Sequence, residues 1–211
     1  MVPLLPPLKD NKKIYIICEG SEEYDYLNRL KILNVWSDVY DITLRDAKGN
    51  GNLYPIYQNV YQKGNYDLVV IVCDTEKKPH EQFNDICCKV NSLHACELAS
   101  QHVVMFTNPC TMQVILLHWD TSVRLQTPSK RRSASYIEKY TGIQDYSAKE
   151  SQRTQLVSNI TKESYRNMMN GAKQLGMDAA LINSTNLHVI FAQLEQPDTN
   201  WIDEINKLIE S

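Results

Sequence analysis

The sequence predicts an α/β domain, with a mostly parallel sheet flanked by helices and a helical C-terminal elaboration. Two observations favour this fold class. The segments 14–18 and 68–73 are runs of apolar, mostly β-branched residues, which are typical of strands buried on both faces of a parallel sheet. Strand and helix patterns also alternate over residues 1–120, as expected when parallel strands are joined by right-handed helical crossovers.

The N-terminal part is predicted to contain four strands separated by helices. Ser21 is expected to cap the first helix, because Glu22 and Glu23 follow it in the first turn. The predicted strands are 14–18, 39–45, 67–73 and 103–106, and the predicted helices are 21–33, 53–62, 79–98 and 112–119.

The C-terminal part is predicted to be mainly helical. The polar segment 126–133 indicates a loop, and segment 187–194 is ambiguous between helix and strand. The predicted helices here are 134–140, 154–175 and 202–209.

Length and composition limit the classes of protein to consider. The 211 residues fit a single domain spanning 1–211, with an N-terminal extension over 1–12 and a helical insertion or subdomain over 126–175. The net charge of −3 gives no global basic field, although a local basic patch would be hidden in that sum. No apolar run reaches the length of a membrane span, and the first residues do not form a signal peptide. The six cysteines form no CxxC pair, so we expect neither a zinc site nor a disulfide framework, and a reduced, cytoplasmic protein.

Acidic residues follow two of the predicted buried strands. Glu19 comes after the first strand, and Asp74 and Glu76 come at the end of the third. The carboxyl ends of parallel strands meet at one edge, where open α/β sheets bind ligands, so the three acids are expected to converge if the strands are neighbours. Oxygen ligands without His or Cys suit Mg²⁺ or Mn²⁺. The alternative is a set of solvated acids at strand ends.

Two further groups of residues are candidates for the same site. His118 lies on the helix after Asn108-Pro109 and would act as a general acid or base if it faces the cleft, but a buried structural histidine is an equal alternative. Basic residues near the acids would hold nucleic-acid phosphates, unless they are ordinary solvated charges. These are Lys77, Lys78, Lys130, Arg131 and Arg132.

Together these segments resemble the Toprim pattern and, more closely, the RloB-like family, which is associated with phage-resistance and restriction loci. The resemblance rests on four segments between about residues 13 and 195, namely 19–23, 74–76, 108–118 and 183–185. It implies a Toprim/Rossmann-like fold and a Mg²⁺-dependent nuclease acting on DNA or RNA in antiphage defence. It also implies that Glu19 is a general acid/base or a metal ligand, that Asp74 and Glu76 bind metal, and that an ATPase is the protein partner. Homo-oligomerisation is left open.

The chain departs from this family pattern at three places. Glu76 replaces the usual second Asp, Asn183-Ser184 lacks the usual proline, and Met112 stands where the family carries Glu. A methionine side chain neither binds Mg²⁺ nor transfers a proton. An alternative function is therefore a catalytically degenerate Toprim fold that serves as a sensor or partner-binding subunit.

Overall fold

The computed structural model describes residues 11–75 and 78–210, with the backbone alone described at Lys130. Five strands form one sheet in the order β2-β1-β3-β4-β5. The strands are β1 (Lys12–Cys18), β2 (Tyr40–Asp46), β3 (Leu68–Asp74), β4 (Val104–Asn108) and β5 (Ser184–Thr185). The first four are parallel and β5 is antiparallel to β4, which confirms the predicted α/β class.

Helices connect and flank these strands. In chain order they are α1 (Ser21–Ile32), α2 (Leu53–Lys63), α3 (Glu81–His94), α4 (Ala99–Val103), α5 (Met112–Leu116), α6 (Lys130–Thr141), α7 (Glu150–Ser158), α8 (Lys162–Ala172), α9 (Leu187–Leu194) and α10 (Asn200–Ile209). Within the described ranges, no helix combines the length and apolar character needed to cross a membrane.

The two strands that carry acids are direct neighbours. β1 pairs with β3 in parallel register, with Cys18 opposite Val72. All residues of β3 except Asp74 are buried, because the strand lies in the middle of the sheet with packed layers on both faces. Chain connections run from β1 to β2 on one side, whereas β3 lies on the other side. The gap between the ends of β1 and β3 is therefore the point at which the strand order reverses.

Several predicted boundaries were wrong. Gly20, not Ser21, caps α1, and its backbone amide is bound by the Glu23 side chain. The predicted loop 126–133 is helical from Lys130 onward. The predicted helix 154–175 is two helices, because Thr161 starts a new one by accepting a hydrogen bond from the Ser164 amide at 3.1 Å.

The helix predicted over 79–98 was also too long. The structure starts α3 at Glu81, ends it at His94 and adds the short helix α4. Segment 187–194 is helical. The division into a main domain and a subdomain over 126–175 stays a prediction, and the N-terminal extension lies largely outside the described residues.

Candidate functional site

Glu19 and Asp74 lie together at the carboxyl edge of the sheet, as the sequence predicted for neighbouring strands. The backbone amide of Asp74 donates a hydrogen bond of 2.9 Å to Oε2 of Glu19. The backbone of Glu19 is fixed on both sides, because its amide donates to Val72 and its carbonyl accepts from Gly49. Glu19 is therefore held at the reversal point of the strand order by hydrogen bonds to β3 and to the turn at Gly49.

The Asp74 side chain is oriented by the turn that follows β4. The amide and the hydroxyl of Thr111 both donate to Oδ1 of Asp74, at 2.7 and 2.8 Å. Both hydrogen bonds from Thr111 therefore end on Oδ1, and Thr111 makes none to Oδ2. The turn that contains Asn108-Pro109 thus contributes to the site through Thr111, a residue that the sequence reasoning missed.

A third carboxylate, Glu23, belongs to the same cluster and was not among the predicted site residues. It is only 6% exposed, and its Oε2 accepts the Gly20 amide at 3.0 Å. Burial raises the pKa of Glu23 above its ordinary value, with a further increase from Glu22. An acid three positions after a glycine cap was the available signal, since this spacing places the carboxylate back over the start of the helix.

The pKa of Asp74 is strongly perturbed. Burial raises its pKa well above the ordinary value, the charges of Glu23 and Glu19 raise it further, and the Thr111 hydrogen bonds oppose these effects only in part. We refer to Glu19, Glu23 and Asp74 as the acid cluster. It concentrates negative charge in a half-buried place, so either a proton or a cation stabilises it.

Asp46 provides an instructive contrast at the same edge. It ends β2 beside Cys18, and its Oδ2 accepts the Ser21 hydroxyl at 2.8 Å and the Lys48 ammonium at 2.6 Å. Burial alone would raise the pKa of Asp46, but the bonds from Lys48 and Ser21 outweigh it and lower the pKa. Lys48 thus compensates the charge of Asp46, whereas the pKa of Asp74 is raised by burial and by its acidic neighbours.

The donor set of the acid cluster fits Mg²⁺ or Mn²⁺. It consists of carboxylate oxygens, and the raised pKa of Asp74 indicates that a divalent cation would relieve the repulsion between them. No three His, Cys, Asp or Glu side chains in ranges 11–75 and 78–210 are close enough to form a complete metal cage. Glu76 and Lys77 lie outside the described residues, so their predicted roles stay predictions.

His118 is placed in the core, away from solvent. It is 1% exposed, its Nε2 lies 3.1 Å from the Tyr26 hydroxyl and its Nδ1 lies 2.9 Å from Ser164 Oγ. Burial lowers the pKa of His118 to about 3, so the ring is neutral at physiological pH. This placement matches the alternative of a structural histidine, and we leave His118 out of the functional site. We refer to Tyr26, His118 and Ser164 as the histidine network.

The predicted basic residues are only partly brought to the acids. Lys78 is exposed and lines a cavity of about 230 Å³ together with Asp74. Arg131 and Arg132 are exposed at the start of α6, and no hydrogen bond or ion pair in the described part of the chain joins them to the acid cluster. The side chain of Lys130 lies outside the description.

Met112 is buried at the start of α5, directly after Thr111. The position therefore contributes to the apolar core, while its neighbour Thr111 contacts Asp74.

A larger cavity of about 630 Å³ lies elsewhere, among α3, α4, α9 and α10, with none of the acid cluster in its lining.

The comparison with protein-family models agrees with the resemblance seen in the sequence. The family model described as RloB-like protein matches residues 14–211. A comparison with curated proteins gives no match. Among solved structures, the chain is similar to the C-terminal region of the Burkholderia pseudomallei OLD protein, with 12% identity and a TM-score of 0.47 over 75% of this chain and 95% of that chain. The family match covers nearly the whole chain, and the chain belongs to the RloB-like family.

Proposed function

We propose that the chain is a Toprim-like, metal-dependent nuclease that cleaves phosphodiester bonds of DNA or RNA in antiphage defence. The observation that carries this proposal is the contact between Glu19 and Asp74 across β1 and β3 at the reversal point of the strand order. A cluster of acids with raised pKa values at a ligand-binding edge is typical of a functional site, because such repulsion costs stability and serves no packing purpose.

Each residue of the acid cluster has a defined part in this function. Asp74 and Glu19 would hold Mg²⁺ or Mn²⁺ together with the predicted ligand Glu76, and Glu19 has general acid/base chemistry as its alternative role. Glu23 would add negative charge beside Asp74. A bound ion of this kind would supply a Lewis acid for a phosphoryl oxygen and lower the pKa of a water molecule. Thr111 keeps Asp74 Oδ1 engaged, so that the carboxylate presents its other oxygen in a fixed direction.

The basic residues would position the substrate. Lys78 lines the cavity next to Asp74 and would contact a phosphate near the bond that is cleaved. Arg131 and Arg132 at the start of α6, with Lys77 and Lys130, would contact phosphates farther along the strand. Lys78 would thus bind the phosphate nearest the acid cluster, and the other basic residues would bind phosphates farther away.

The experiment that tests this function compares cleavage by Asp74→Asn and Glu19→Gln with cleavage by the wild type. Labelled single- and double-stranded DNA and RNA are incubated with Mg²⁺, Mn²⁺ or EDTA. We expect wild-type cleavage to need the metal, and each variant to lose about 10³-fold or more, as removal of several kcal/mol of charge stabilisation implies.

Asp85→Asn is the matched control, since Asp85 lies on the exposed side of α3 and, among the described residues, forms an ion pair only with Lys89. It should cleave like the wild type. Metal-dependent cleavage that survives in both acid variants would contradict the assignment of the site.

A second function is favoured by Met112. Its buried apolar side chain occupies the position at which the family carries Glu, so one acid of the family pattern is missing. The second function is a degenerate Toprim fold that binds a partner, with an ATPase or a second copy of the chain as the candidates. In that case the acid variants would bind the partner as the wild type does, and no preparation would cleave nucleic acid.

A further inference from the structure

Two buried polar atoms beside the acid cluster lack a hydrogen-bond partner within the described residues. They are Oγ1 of Thr75 and Nε2 of His80. Thr75 is 1% exposed and His80 is 9% exposed, so solvent does not compensate either atom fully. Unpaired polar atoms in such places are costly and rare, which indicates that a bound group supplies the partner.

Both residues line the cavity of about 230 Å³ that also contains Asp74 and Lys78. Thr75 directly follows Asp74 at the end of β3, and its amide extends the ladder by donating to Thr107. His80 precedes α3. The cavity therefore joins the acid cluster to the start of α3.

The tautomer of His80 follows from its contact with Thr75. Nδ1 of His80 lies 2.8 Å from the carbonyl oxygen of Thr75. A carbonyl only accepts, so Nδ1 carries a proton, and in the corresponding neutral tautomer Nε2 presents a lone pair. The Thr75 hydroxyl, in contrast, offers a proton. The two atoms together provide one acceptor and one donor.

The backbone at His80 is also unusual. Its φ of +61° lies in the left-handed region, which side-chain-bearing residues rarely adopt. The His80 carbonyl accepts the Asn84 amide at 2.9 Å, so the conformation is fixed by the first turn of α3. Strained backbone of this kind concentrates at functional sites.

We propose that Thr75 and His80 bind a hydroxyl group, which donates to His80 Nε2 and accepts from Thr75 Oγ1. This inference rests on the proposed nuclease function and names a further binding element of the same site. The hydroxyl belongs either to the attacking water or to a ribose of an RNA substrate. Both sources present the same chemistry, one O–H donor and an oxygen acceptor.

The two sources have different consequences. If the group is water, its proton passes to His80 Nε2 as its oxygen bonds to phosphorus, and the bond from phosphorus to the leaving oxygen breaks with the electron pair on that oxygen. If the group is a ribose 2′-hydroxyl, the contact selects RNA over DNA, because DNA lacks this hydroxyl.

Two substitutions remove the proposed contacts with little disturbance of the fold. Asn in His80→Asn tolerates a positive φ and can donate to the Thr75 carbonyl, but it lacks the Nε2 lone pair. Thr75→Val replaces the hydroxyl with a methyl group of similar shape. Because the hydroxyl has no partner within the described residues, thermal stability should not fall in Thr75→Val.

The experiment measures binding and cleavage of RNA and DNA oligonucleotides of one sequence. Binding is measured by fluorescence anisotropy with Ca²⁺, and initial cleavage rates are measured with Mg²⁺. Controls are His102→Asn on α4 and Thr127→Val in the loop before α6, which carry the same substitutions away from the cavity. Both controls should match the wild type.

If the group is water, both variants cleave RNA and DNA about 100-fold more slowly, with binding unchanged. If it is a ribose hydroxyl, the wild type binds RNA more tightly than DNA, and both variants lose about 10-fold in RNA binding alone. Variants that bind and cleave like an active wild type overturn this inference and leave the proposed function intact. A wild type that neither binds nor cleaves overturns both.

Discussion

The acid cluster and the histidine network are both groups of polar side chains in a folded interior, yet their electrostatics are opposite. Both ring nitrogens of His118 have a hydroxyl partner, and its lowered pKa keeps the ring neutral. Asp74, in contrast, has its pKa raised by burial and by Glu23 and Glu19. The histidine network is satisfied by hydrogen bonds within the fold, whereas burial and like charges in the acid cluster favour the uptake of a proton or a cation.

Hydrogen-bond satisfaction and like-charge repulsion therefore separate structural from functional polar groups in this chain. A satisfied buried network stabilises the protein, since removing one member leaves the others unpaired. A cluster of like charges destabilises the metal-free protein, so substitution of a member should cost activity rather than stability. The sequence predicts both His118 and Asp74 as site residues. Only their surroundings in the folded structure distinguish the structural residue from the functional candidate.

The largest expected effect on stability is at the histidine network. His118→Ala should lower the free energy of unfolding by about 3 kcal/mol, because it leaves a cavity and removes the partner of the buried Tyr26 hydroxyl, whereas Ser164 Oγ keeps its hydrogen bonds to the Thr161 backbone. Urea unfolding measures the change, and cleavage per folded molecule should persist. His102→Ala, at a half-buried position of α4 that borders the larger cavity, should change stability by less than about 0.5 kcal/mol. A His118→Ala protein that is as stable as the wild type but has lost cleavage would show that His118 is functional and not structural.

The pH dependence of stability sharpens the same contrast. The folded pKa of His118 is about 3, below its ordinary value of 6.5, so between these values the unfolded chain binds a proton that the folded chain does not. The contribution of His118 to the free energy of unfolding is therefore fully present above pH 6.5. It is lost as the pH falls towards 3, by up to about 1.4 kcal/mol per pH unit.

The measurement is urea unfolding of the wild type and of His118→Gln at several pH values between 4 and 7. The difference between the two curves isolates His118 from the other histidines. We expect the variant to have the shallower acid-side slope. Parallel curves would show that His118 titrates normally in the folded protein.

A smaller effect is expected at the support of the acid cluster. Thr111→Val removes the hydroxyl that donates to Asp74 Oδ1 but keeps the amide that donates to the same atom. Loss of one hydrogen bond to a charged group should reduce Mg²⁺-dependent cleavage by about 10-fold. The matched substitution Thr141→Val, at the end of α6, should leave cleavage unchanged. Equal activity of all three proteins would exclude Thr111 as a positioning residue.

The smallest effect is expected at the basic group on α6. Replacement of both Arg131 and Arg132 by Gln should weaken nucleic-acid binding similarly for all sequences and reduce the slope of log K against log salt by about 2. Titrations at several salt concentrations measure this slope. An unchanged slope would show that these exposed side chains are ordinary solvated charges.

The sheet core could be predicted from the sequence because its signals are local. Residues 14–18 of β1 and 68–73 of β3 are continuous apolar runs. The acids that follow them predicted the contact between Glu19 and Asp74, which is present where the two strands pair in parallel. The helix α8 was missed as a separate element because its start depends on two reciprocal capping hydrogen bonds between Thr161 and Ser164, within a polar stretch.

Other features depend on contacts between distant residues. β5 contains only Ser184 and Thr185, and it is held where the Asn186 side chain accepts the Phe106 amide and donates to Val104. No local pattern encodes such a pairing. In the same way, the burial of Glu23 and the unpaired atoms of Thr75 and His80 arise only when β3, α1 and α3 are brought together.

The most direct test of the account is a Mg²⁺ titration followed by thermal unfolding, with the wild type and Asp74→Asn. The account predicts that saturating Mg²⁺ raises the wild-type Tm by about 5 to 10 °C, as binding at 100 times Kd implies for a chain of this size. It also predicts that Asp74→Asn is at least as stable as the wild type without metal and does not respond to it. A wild type that does not respond to Mg²⁺, or an Asp74→Asn variant that responds equally, would contradict the central claim that the acid cluster is a cation site.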